Sequence, residues 1–96
     1  MSSASDRVGG WSDFNFTVSP EARKVFDQTM KHLVGVKYTA LAFATQVVSG
    51  LNYCFLCEGQ VVTPGQPEFA ALIYVYAPLK GDPHITRIER INPGER

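Results

Sequence analysis

Apolar positions follow two different periods along this chain, and the change between them divides it. Ala22, Phe26, Thr29, Leu33 and Val36 recur at spacings of four and three, Val25 and Met30 widen the stripe, and Arg23, Lys24, Asp27, Gln28 and Lys31 fill the opposite side. That pattern predicts one amphipathic helix. Ser19 can accept from an orphan backbone N–H at its start, Pro20 fits the first helical position, and Glu21 complements the positive end. Gly35 predicts the helix end, with Lys31 and His32 in the last turn, where positive charge is favoured.

From Tyr38 the period becomes two. Leu41, Phe43, Thr45 and Val47 fall on one face of a strand and Ala40, Ala42, Ala44 and Gln46 on the other, so the larger face is expected to meet the helix. Ser49-Gly50 is a natural reversal point, after which Tyr53, Phe55 and Cys57 alternate with Cys54, Leu56 and Glu58. Residues 59 to 67, with Thr63-Pro64-Gly65 and Pro67, read as a loop. Phe69 to Ala77 reads as a third strand and Ile85 to Ile91 as a fourth, with Pro78 to His84 turning between them. Consecutive strands joined by short loops pair with their neighbours, so the expected class is α+β: one helix packed across an antiparallel meander. The Ser49 turn and the Pro78 loop then share one end of the sheet. Two valines beside the turn leave apolar surface at that end, which suggests a partner. Residues 1 to 18 have no period. The first eight are expected to be mobile, whereas Trp11, Phe14 and Phe16 are expected to pack down on the domain.

At 96 residues the chain is long enough for one small domain. Nine Lys and Arg balance nine Asp and Glu, so neither a nucleic acid nor an anionic membrane is the expected partner. No stretch approaches the roughly 20 apolar residues of a membrane span, and the first residues lack the apolar centre of a secretion signal. A soluble, cytoplasmic protein is expected. Two cysteines do not make a disulfide scaffold. Cys54 and Cys57 lie mid-strand, and residues three apart on a strand point to opposite faces, so the pair is expected neither to close a disulfide nor to hold a metal. His32 and His84 complete the nucleophile and ligand inventory, and no spacing ties either to a cysteine. With no phosphate loop, glycine fingerprint or carboxylate pair, no catalytic residue, metal or cofactor is expected.

Gln46-Val47-Val48-Ser49-Gly50, followed by Leu51-Asn52-Tyr53, resembles the Gln-x-Val-x-Gly hairpin of the cystatins, inhibitors of papain-like cysteine proteases, in which an Asn-Tyr pair often follows the glycine. Val8-Gly9-Gly10 looks like that family's N-terminal apolar-Gly segment, and Pro78-Leu79-Lys80-Gly81 stands where the family has its second inhibitory hairpin. The three pieces come in the family's order, and the lack of C-terminal cysteines makes the chain look closer to the stefins than to the secreted members.

The resemblance implies a single cystatin-like domain over residues 1–96, with a flexible arm over 1–10 and a four- to five-stranded sheet. It implies reversible, tight binding to a cathepsin-type protease. Val8 and Gly9 would enter the non-primed side of the cleft, Gln46, Val47, Val48, Ser49 and Gly50 its centre, and Pro78 and Leu79 the outer primed side. It also implies a monomer able to form a domain-swapped dimer. Two features depart from the family: Trp11 follows Gly10 where smaller or polar residues are usual, and Pro78-Leu79-Lys80-Gly81 lacks the Pro-Trp of secreted cystatins and only approximates the Leu-Pro-Gly of stefins. The alternative function is that of a non-inhibitory cystatin-like domain that self-associates or holds a partner through an outer sheet face made of Ala40, Ala42, Ala44, Leu56 and Tyr74.

Overall fold

The computed structural model describes residues 10–93. Within them the element order is α1 (Pro20–Met30), β1 (Val36–Val48), β2 (Gly50–Val61), β3 (Phe69–Ala77) and β4 (His84–Ile91). The strands form one antiparallel sheet in the order β1-β2-β3-β4, with α1 packed on one face, so the architecture is α+β.

The start of α1 follows from local chemistry. Ser19 has extended backbone angles, its hydroxyl accepts from Ala22 N–H at 3.1 Å, and Pro20 takes the first turn. The end differs from the periodicity. α1 stops at Met30, not at Gly35, so Lys31 caps the helix and His32 lies beyond it. The Thr29 hydroxyl donates back to the Phe26 carbonyl at 2.8 Å, and the next N–H groups, of His32 and Leu33, reach only three residues back, to the carbonyls of Thr29 and Met30. Such tightening ends a helix. Val36, β-branched and placed by the stripe in the helix, opens β1 instead, and the Gly35 carbonyl accepts from Val62 N–H at 3.1 Å.

Ala22 and Phe26 from α1 pack on Tyr53, Phe55, Cys57, Ile73 and Val75 from the middle strands. Phe26 meets Phe55 edge-on at 5.0 Å between ring centroids, and Tyr53 stacks on Phe55 at 5.5 Å. The rings bring large apolar surfaces together where the helix meets the sheet.

The faces of β1 depart from simple alternation. The pairing of β1 with β2 slips between Ala40 and Ala42, which makes Leu41 the extra residue of a bulge. Ala40 therefore lies with Cys57 in the helix-side core, whereas Ala42, Ala44 and Gln46 pair with Leu56, Cys54 and Asn52 on the outer face. Tyr38 and Phe43 pack against the core, and Leu41, expected there too, is exposed. A second slip, between Tyr74 and Val75, leaves Thr86 unpaired near the start of β4.

The segment before α1 runs antiparallel along the free edge of β1. Isolated bridges join Trp11 to Gln46 and Asn15 to Phe43, and the Asn15 and Phe43 N–H groups donate to each other's carbonyls at 2.8 and 3.0 Å. Trp11 is half-buried and meets Tyr74 edge-on at 6.0 Å on the outer face. Phe16 does not pack down as expected and keeps 70% of its surface exposed, and Phe14, 41% exposed, does so only in part, at the rim of the outer face near Ala44. A segment tied to an edge by backbone bonds still turns alternate side chains to solvent.

Candidate functional site

Strand register assembles the hairpin end of the sheet. Val47 pairs with Leu51 and Val48 with Gly50, so Ser49 alone separates β1 from β2. Gln46 is not part of the tip but a strand residue facing Asn52, whose side-chain amide donates to Gln46 Oε1 at 2.8 Å. That bond closes the hairpin just below its end. Tyr53, one residue further on, turns to the opposite face and belongs to the core. The Asn-Tyr pair thus has one member fastening the hairpin and one anchoring it.

Leu51 pairs with Ala77, which brings Gly50 level with Pro78 on the neighbouring strand. Gly50 has φ +107°, and a Cβ there would stand 2.5 Å from the Ala77 carbonyl oxygen, 3.1 Å from Pro78 Cα and 3.2 Å from Leu79 N. Only glycine lets the two loops approach this closely while taking that φ. The Tyr76 hydroxyl, from the next-to-last residue of β3, donates to the Ser49 carbonyl at 2.5 Å. His84, the first residue of β4, packs edge-on against the Tyr76 ring at 5.7 Å. One side chain therefore links the hairpin tip to both ends of the second loop.

On this support the apolar residues are presented outward. Val47 is 41% exposed, Val48 37% and Leu79 79%. Val47 and Val48, consecutive on β1, turn to opposite faces, and with Leu79 on the adjacent braced loop they leave exposed apolar side chains around one end of the sheet, which water covers at a cost. The third element arrives at the same end: Trp11 bridges Gln46, three residues from Ser49, and Gly10 directly precedes it. Of the residues expected in the site, Gln46, Val47, Val48, Ser49, Gly50, Pro78 and Leu79 are thus together, with Gln46 bracing the tip from below. Val8 and Gly9 lie outside the described residues. Tyr76 and Trp11 were not among the expected site residues, although the Leu51 to Ala77 register, once known, identifies the first.

The thiols are held apart from this end and from each other. Cys54 pairs with Ala44 and Tyr74 on the outer face, whereas Cys57 belongs to the helix-side core; both are free and buried. Burial pushes the Cys54 thiol up, with Tyr74 and Arg87 pulling partly the other way. Cys57 is pushed up to about 12, chiefly by burial and then by the neighbouring Cys54. Neither is a thiolate at neutral pH, the form that attacks or ligates. Among the described residues no three His, Cys, Asp or Glu side chains are grouped to hold a metal ion, and no helix is long and apolar enough to cross a membrane.

Compared with protein families, curated proteins and solved structures, the chain finds no match.

Proposed function

We propose that this chain is a cystatin-like inhibitor that reversibly fills the cleft of a papain-like cysteine protease of the cathepsin type. The observation that carries the reading is the close approach of two loops at Gly50, which brings the exposed Val47-Val48-Ser49 tip and Leu79 to one end of the sheet, with the Gly10-Trp11 segment arriving beside them; we read these together as a wedge. The helix on one face of an antiparallel sheet is compatible with a cystatin-like fold.

The mechanism is exclusion. A braced tip loses little conformational entropy on docking, so a small area can bind tightly. Val47 and Val48 take the centre of the cleft and Leu79 the primed side, and the non-primed side is assigned to Val8 and Gly9, which lie outside the described residues. No peptide bond is held in attack geometry over the protease cysteine, so none is cut. The inhibitor reading also fits a location with such proteases nearby, and a cytoplasmic, stefin-like role is part of the proposal.

Titration of the purified protein into active-site-titrated papain tests it. Loss of activity with one-to-one stoichiometry is expected; full activity at micromolar protein refutes it.

A further inference from the structure

The two edges of the sheet are treated differently. The β1 edge is covered over part of its length by the chain's own Trp11 to Asn15 segment, held by backbone bonds. β4 is the other edge, and among the described residues no segment bridges to its outer side. An open edge is a row of unpaired donors and acceptors, which proteins usually guard with charge or a bulge. Here the bulge sits at Thr86, near the start, and leaves Arg87 to Ile91 regular. The two arginines that could screen this stretch lie over β3 instead: Arg87 stands 4.2 Å above the Tyr74 ring and Arg90 3.7 Å above the Phe69 ring. The stacking draws Arg90 inward, whereas Arg87 keeps 61% of its side chain exposed beside Glu89 and still reaches across the edge.

The residues along that edge are self-complementary. We infer that β4 is an interface for a second copy of this chain, the two β4 strands pairing antiparallel over Arg87 to Glu89 about a two-fold axis at Ile88, bounded on each side by the Thr86 bulge, to join the two sheets edge to edge. In that register Arg87 of each copy stands opposite Glu89 of the other on the outer face, and Ile88, 40% exposed, meets its equivalent on the helix face. Centring the pair on Arg87, Glu89 or Arg90 opposes like charges instead. A shift by half a residue pairs outer-face with helix-face positions, which an antiparallel ladder does not allow. Centring the pair on Ile91 sets Arg90 opposite Asn92 and Glu89 opposite Pro93, with no pair of opposite charge, so the Ile88 register alone gains charge complementarity. The Arg87–Glu89 contact within each chain, 3.7 Å with both side chains more than half exposed, is too weak to compete strongly with the pairs across the seam. The wedge at the hairpin end takes no part, so this association neither depends on the proposed inhibition nor blocks it.

Sedimentation of the full chain from micromolar to near-millimolar concentration tests the inference, with charge variants and a cross-link as readouts. A reversible dimer is expected. Arg87→Glu and Glu89→Arg should each weaken it about tenfold or more, since each converts two attractive pairs into two repulsive ones, and the double exchange should restore it. Ile88→Cys should oxidise to a covalent dimer faster than Leu79→Cys, a more exposed control remote from the axis. A monomer throughout the range overturns the inference. So does a dimer indifferent to the single charge reversals, as an exchange of strands would give, or equal cross-linking of the two cysteine variants. Circular dichroism of each variant establishes that the fold is retained.

Discussion

Gly50→Ala probes the link between the two loops, and three other glycines calibrate it. Gly35, Gly65 and Gly81 also have positive φ, of +90°, +86° and +108°, but an added Cβ meets nothing within 4 Å at the first two and only Pro78 Cγ, at 3.7 Å, at the third. Alanine at those positions pays conformational strain alone, about 1–2 kcal/mol. At Gly50 the same strain is joined by a 2.5 Å approach to the Ala77 carbonyl oxygen, and the neighbours are backbone that no side-chain rotation can move. Displacing packed atoms adds about 1–3 kcal/mol, for a total of about 2–5 kcal/mol. Urea denaturation of the four variants, followed by circular dichroism, should rank Gly50→Ala last by about 1–3 kcal/mol, with a thermal midpoint lower than the others by about 5–20 °C. Below its midpoint the folded variant should also inhibit less well, because the tip and Leu79 are pushed apart. If Gly50→Ala is no less stable than Gly35→Ala, the close approach of the loops is wrong, and the wedge loses its support.

Three further outcomes are expected. Val48→Asp should leave the unfolding transition nearly unchanged, since the side chain is exposed, yet abolish measurable inhibition of papain by placing an unpaired carboxylate in a dry cleft; unchanged inhibition removes the tip from the contact. Deleting residues 1 to 9 should weaken inhibition about 10- to 100-fold, the worth of burying one valine side chain, mostly as faster dissociation in surface-binding kinetics, with little change in thermal midpoint. The raised Cys57 thiol is protonated when folded but ionises near pH 9 when unfolded, so the unfolded state binds fewer protons and stability should fall as pH rises from about 9 toward 12, by about 1.4 kcal/mol per pH unit for this group. Denaturation midpoints above pH 9 should decline more gently in Cys57→Ala; an identical decline excludes the thiol as a cause.

What could be read from the sequence was whatever chemistry decides locally. Ser19 and Pro20 started the helix where expected, because capping needs only neighbouring atoms. Phe69–Ala77 was correctly bounded, since its apolar run ends at Pro78, which has no N–H for a central strand. The end of α1 was misplaced because Leu33 and Val36 continue the helical spacing by coincidence, and a count of spacings cannot weigh a tightened last turn or a partner such as Val62 for the Gly35 carbonyl. Gly50 was legible as a turn residue but not as the place where a second loop packs, because that contact depends on the register of β2 with β3. Phe14 and Phe16 misled through composition: their exposure follows from an edge-on attachment whose backbone bonds leave no trace in residue type.

The bulge at Leu41 bears directly on what the outer face can do. A strand of strict alternation would line that face with Ala40, Ala42 and Ala44, a shallow surface suited to another layer. The slip sends Ala40 to the helix side instead, into the cluster that holds Ala22, where two small side chains help the helix lie near β1. Ala42 and Ala44 remain on the outer face but are buried, and Ala44 lies with Trp11, Phe14, Cys54, Leu72 and Tyr74 around one small pocket. The alanines there accommodate the chain's own N-terminal segment. A partner seeking that face would first have to displace Trp11 from Tyr74 and break the backbone bonds to Phe43 and Thr45, a cost that the open tip at Val47, Val48 and Leu79 does not carry. Since the same segment delivers Gly10 to the hairpin end, covering the alanine face and building the wedge are one arrangement, and removing the segment should expose the first as it dismantles the second.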